Sequence, residues 1–88
     1  MSNIEPTTMK KPLFVHTEWD PEAGVWVATS DEVPGLATEA DTAEALVEKL
    51  KSMIPELLEA NRCAGAEEEE VPFELLIRRF EVARRETA

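Results

Sequence analysis

The sequence predicts an α+β domain, in which a short antiparallel β-meander is followed by one amphipathic helix that covers it. Three observations carry this. Two stretches rich in β-branched and aromatic residues, Leu13 to Trp19 and Val25 to Ser30, flank the turn-forming run Asp20-Pro21-Glu22-Ala23-Gly24. A Pro34-Gly35 pair separates the second stretch from a third, Leu36 to Ala40. Beyond Asp41, apolar residues recur at three- and four-residue spacing, the period of a helix face.

In the first hairpin, Pro21 suits the φ of a type I turn and Gly24 suits the positive φ that follows it. With no bulge in the loop, Trp19 would face Val25, Thr17 would face Val27 and Val15 would face Thr29. One face then carries Leu13, Val15, Thr17, Trp19, Val25 and Val27, and the other carries Phe14, His16, Glu18, Trp26 and Ala28. The second set is too apolar for a plainly solvated face and too polar for a core, which marks it as a contact surface.

Asp31 to Gly35 forms the second turn, with Pro-Gly in the type II order. Asp41 can cap the helix, with Glu44 completing a capping box. Leu46, Val47, Leu50, Met53, Ile54, Leu57 and Leu58 line the face that donates most of the core. Pro55 lies within this stripe, where it removes a backbone donor and predicts a kink or restart, and the helix should fade near Asn61. Residues 62–70 read as an acidic, solvated connector. In the last segment Phe73, Leu75 and Ile77 alternate as in a strand, while Phe73, Leu76, Ile77 and Phe80 fit a helix equally well.

Composition narrows the function classes. Eighty-eight residues suffice for one domain, residues 12–88, preceded by a loose arm at 1–11 that holds little apolar content. Nineteen acidic against nine basic side chains give a net charge of -10, which repels phosphate backbones and disfavours direct nucleic-acid binding. A basic protein is the complementary partner. The one cysteine, Cys63, cannot form an internal disulfide, and no apolar run has the length of a signal peptide or membrane span. The expectation is a cytoplasmic chain with no membrane association.

The run from Trp19 to Asp41 carries a resemblance. Trp19, Asp20, Gly24, Trp26, Ala28, Ser30, Pro34, Gly35, Leu36, Glu39, Asp41 and, further on, Leu57 together resemble the N-terminal domain of HicB-type antitoxins, in particular a small stand-alone relative. The resemblance runs from about Leu13 to the end of the chain. It implies a β-β-β-α-β order with a partial ribonuclease H-like fold, in which the helix is a crossover and a fourth strand, Phe73 to Ala83, lies parallel beside the first. HicB-type antitoxins usually carry a DNA-binding segment after this domain, and none is expected here beyond the last strand. The toxin-neutralising half of the role is what the resemblance leaves, namely occlusion of a small basic ribonuclease of HicA type.

No catalytic constellation competes with this reading. His16 is the one histidine, and beside Phe14 and Trp26 it reads as a packed or interface residue. Ser30 lacks a nucleophile elbow. Glu18, Asp20, Asp31, Glu32, Asp41, Glu44, Glu48 and Glu74 could in principle build a two-metal nuclease, but none sits centrally on a strand in an apolar setting. The sequence therefore predicts no enzyme, no metal and no cofactor. The candidate partner-binding residues are Phe14, Glu18, Trp26, Ala28, Asp31, Glu32, Glu67, Glu68, Glu69 and Glu70. The rival reading is a self-associating structural domain whose second sheet face is a homo-oligomer interface, with a metal-dependent nuclease third.

Overall fold

The computed structural model describes residues 11–86. The predicted arm at 1–11 lies, apart from Lys11, outside these residues. The elements are β1 (Leu13–Asp20), β2 (Val25–Thr29), β3 (Ala37–Ala40), α1 (Ala43–Ala60) and β4 (Phe73–Arg78). They form a four-stranded mixed sheet in the order β3-β2-β1-β4. β1 and β2 are antiparallel, as are β2 and β3, and β4 runs parallel to β1 after the crossover through α1. The α+β class and the strand assignment for the start of the last segment both follow the sequence reading.

The β1–β2 register differs from the bulge-free expectation by one residue. Trp19 faces Trp26, Thr17 faces Ala28 and Asp20 faces Val25. The cause lies in Asp20, which the expectation placed in the loop. Its carbonyl accepts from the Gly24 amide at 2.7 Å, and its Oδ1 accepts from the Glu22 and Ala23 amides at 3.0 and 3.3 Å. Asp20 thereby closes the last strand pair, and Gly24, at φ 70°, finishes the turn. Because strand side chains alternate, this slip moves every β2 side chain to the other face. Trp26 and Ala28 lie on the face that carries Val15 and Thr17, whereas Val25 and Val27 lie with Phe14, His16 and Glu18.

The core sits between that first face and α1. Val15 and Ala28 from the sheet, Val33 and Leu36 from the turn, Ala40 from β3, and Leu46, Leu50, Ile54 and Leu58 from α1 are all buried. The four helix residues are spaced by four, so a single stripe meets the sheet. The Pro34-Gly35 turn brings in Val33 and Leu36 together: the Leu36 amide donates to the Val33 carbonyl at 3.1 Å, with Gly35 at φ 81°. Thr17 is fully buried in the same layer, and its hydroxyl has no hydrogen-bond partner among the described residues. A buried orphan hydroxyl costs stability that an isosteric methyl does not. Thr17→Val should therefore stabilise the domain by about 1 kcal/mol, read as a higher urea midpoint with an unchanged slope.

The ends of α1 differ from the sequence expectation. Thr42, not Asp41, is the N-cap, with its Oγ1 accepting from the Ala45 amide at 3.0 Å. Glu44 then falls too early for a capping box and serves only as an acidic residue in the first turn, where the helix dipole favours it. Pro55 does not restart the helix, which is one element from Ala43 to Ala60. The proline is exposed, so the Lys51 carbonyl it deprives of a donor lies on the solvent side.

At the C-terminus the Arg62 amide donates to the Glu59 carbonyl and the Cys63 amide to the Leu58 carbonyl, the two bonds of a Schellman motif. Asn61 adds a side-chain bond to the Leu57 carbonyl at 2.8 Å. The motif requires a left-handed residue, and Arg62 supplies it at φ 54°, a conformation that favours glycine. Arg62→Gly is expected to raise stability by about 1 kcal/mol in thermal or urea unfolding.

Candidate functional site

One layer of helix leaves the other sheet face bare. Across its strands this open face presents Ala37 and Glu39 from β3, Val25, Val27 and Thr29 from β2, Phe14, His16, Glu18 and Asp20 from β1, and Glu74, Leu76 and Arg78 from β4. The placement follows from strand alternation and the register. Phe14 is 47% exposed and Leu76 49% exposed, although both lie on strands. Phe14 neighbours Glu74 and His16 neighbours Leu76, so the two large apolar groups are diagonal neighbours across the β1–β4 pair.

Acidic groups are spread across the same face, with the Arg78 cation level with Glu18. Glu18 accepts from His16 Nε2 at 2.9 Å, which holds the imidazole along the strand. Glu39 and Asp20 lie on the β2 side, facing Val27 and Val25. Where β1 begins, the loop after β2 folds over its first residues. The Ser30 hydroxyl donates to the Phe14 carbonyl at 2.6 Å, the Glu32 amide donates to Ser30 Oγ at 3.1 Å, and Glu32 Oε1 accepts from the Phe14 amide at 2.7 Å. This clasp extends the β1–β2 pairing beyond Thr29 and brings Asp31 and Glu32 to the Phe14 end of the sheet. A shallow depression there is lined by Phe14, His16, Thr29, Ser30, Asp31 and Glu32. The acidic connector holding Glu67, Glu68, Glu69 and Glu70 approaches the same end, because the Leu13 amide donates to the Pro72 carbonyl at 2.9 Å.

Of the residues named from the sequence, Glu68 and Glu70 line a depression with Leu13 and Leu58 on the helix side, whereas the structure brings Phe14, Glu18, Asp31 and Glu32 onto or beside the open face. Trp26 and Ala28 are not on it. Ala28 is fully buried under α1, and Trp26 pairs with Trp19 on the helix side. The two indoles meet edge to face, with centroids 5.1 Å apart, and the Arg79 guanidinium lies 4.3 Å from the Trp19 centroid and 5.6 Å from that of Trp26. The expected strand to Ala83 ends at Arg78: β1 stops at Asp20, which the register puts level with residue 80, so the chain beyond has no strand to pair with, and Arg79, level with Trp19, binds Glu81 at 2.6 Å. Open-face positions that the sequence reading missed include Val25, Val27, Thr29 and Glu39 on the β2–β3 side and Glu74, Leu76 and Arg78 on β4. The signal that could have found the β2 pair was Asp20 as a self-closing turn residue, which implies a four-residue loop.

Among the described residues no three His, Cys, Asp or Glu side chains converge where a metal ion could be held. The carboxylates considered for a two-metal nuclease are accordingly spread over the strands, the turn and α1. The face can offer an apolar centre, carboxylate hydrogen-bond acceptors and a negative field, which is the equipment of a recognition surface. No helix among the described residues is long and apolar enough to cross a membrane.

Comparison with known proteins places this geometry. A family model described as a domain of unknown function, DUF1902, matches residues 12–85. No curated protein matches the chain. Among solved structures, the chain is similar to the hypothetical protein TTHA1013 of the extremely thermophilic bacterium Thermus thermophilus, at 51% identity and a TM-score of 0.61, over 85% of the present chain and 100% of the other.

Proposed function

The chain belongs to the DUF1902 family, and from that premise we propose that it is a non-enzymatic protein-binding module, antitoxin-like in the HicB sense and acting in the cytoplasm, whose open sheet face occludes the RNA-binding surface of a small basic ribonuclease of HicA type. The observation that carries this reading is the pairing of half-exposed Phe14 and Leu76 on a face bordered by Glu18, Asp20, Glu39 and Glu74. Apolar anchors supply affinity once water is excluded, and surrounding carboxylates steer a cationic partner and reject anionic ones. The charge of -10 adds a long-range attraction for the same class of partner.

The test is functional inhibition. The tagged chain, recovered at low salt, should bring down a small basic protein in stoichiometric amount. Released at high salt, that protein should cleave RNA, and adding back the chain should stop the cleavage at a one-to-one ratio. A companion with no action on RNA, or one that cleaves equally well in the presence of excess chain, would refute the proposal.

A further inference from the structure

The two sheet edges are treated differently. β3 is short, and the carbonyl of its Glu39 is already taken by Lys49 Nζ. β4 is longer, pairs among the described residues with β1 alone, and is apolar on both faces through Leu75, Leu76 and Ile77. Leu76 and Ile77 are each about half exposed, and no lysine, proline or bulge blunts the strand between Phe73 and Arg78. Such an edge is a template for another strand. Ile77 and Leu75 also floor an open groove against Ala43, Glu44, Val47 and Glu48 of α1.

The chain itself carries a segment of matching chemistry. After Arg79, anchored on the Trp19–Trp26 pair, residues 80–86 leave the sheet with no pairing of their own. Phe80 is 83% exposed and Val82 68% exposed, separated by one residue as in a strand. Arg84 and Arg85 follow in an otherwise acidic molecule and form no ion pair among the described residues.

We propose that the chain forms a two-fold dimer in which the segment 79–85 of each copy runs antiparallel along the outer edge of the second copy's β4. The arrangement is isologous, each copy giving one tail and one edge. An antiparallel path carries the tail from the end of β4 toward its start. Phe80 and Val82, on one face of the tail, then cover the second copy's Ile77 and Leu75, and Arg84 and Arg85 finish where Glu70 and Glu74 stand, with Glu69 just beyond. Apolar length and charge are in step along one direction only, which is what selects a second copy over an unrelated strand. The open face is left free in both copies.

Light scattering during gel filtration, on the full chain at tens of micromolar and low salt, should give twice the mass of 9.8 kDa. Arg84→Glu with Arg85→Glu should weaken the dimer about tenfold or more, and so should Glu69→Lys with Glu70→Lys. Mixing these two variants should restore a dimer, since both tail-to-connector contacts again join opposite charges. Phe80→Ser with Val82→Ser should weaken it without changing charge, and far-UV circular dichroism should show the helix intact in every variant, all substituted side chains being exposed. A monomeric wild type, variants that stay dimeric, or a mixture that fails to re-form the dimer would each overturn the proposal.

Discussion

Leu50→Ala should destabilise the domain by about 3 kcal/mol, as expected when a fully buried leucine is truncated and the cavity only partly collapses. Leu50 occupies the middle of the single inner stripe of α1, between Leu46 and Ile54, and α1 meets the sheet chiefly over β3 and β2. No second layer of helix can close the gap. A domain of this size holds about 5–10 kcal/mol in total, so the loss is a large share of what keeps it folded. At a urea slope near 1 kcal/mol/M the midpoint should fall by about 3 M. Ser52→Ala, exposed on the same helix, should stay within about 0.5 kcal/mol of the parent. The comparison is made at one protein concentration, because self-association would add to apparent stability.

If the proposed function holds, Phe14→Arg combined with Leu76→Arg should weaken binding of the proposed basic partner about a hundredfold or more while leaving the fold unchanged. Both side chains are half exposed on the open face, so neither replacement buries a charge. Interface anchors of this size are worth about 2 kcal/mol each when truncated, and a new cation facing a cationic partner adds repulsion. Calorimetric titration of the isolated companion with the parent and the double variant measures the ratio, and equal urea midpoints verify the fold. Glu56→Arg, exposed on α1, serves as the control: it also makes the net charge more positive, by two units as the double variant does, but lies on the helix side of the sheet.

Local chemistry made most of the scaffold legible in the sequence. The Pro34-Gly35 turn, the helical stripe ending near Asn61 and the strand-rich run from Leu13 each follow from short-range rules that the structure obeys. What the sequence did not reveal depended on single-residue competition. Asp20 could be read as loop or strand, and its own side-chain hydrogen bonds to Glu22 and Ala23 decided for the strand. That one residue transferred Trp26 and Ala28 from the candidate site to the core side and brought Val25 and Val27 in their place. Thr42 outcompeted Asp41 for the cap in the same way. For the last segment, periodicity is equally compatible with helix and strand; the resemblance alone pointed to a strand, and the physical cause is the available edge of β1. The clasp of Ser30 and Glu32 on Phe14 joins residues far apart in the chain, and no local pattern announces it.

The proposed binding of a basic companion by the open sheet face is tested residue by residue in methyl NMR of the labelled chain titrated with the protein it recovers. Shifts or broadening are expected at Val25, Val27 and Leu76, with Leu46, Leu50 and Ile54 in the core and Val47 on α1 unmoved. Perturbation confined to Val47 and Met53 on the helix side, or no perturbation at saturating companion, would refute binding through this face.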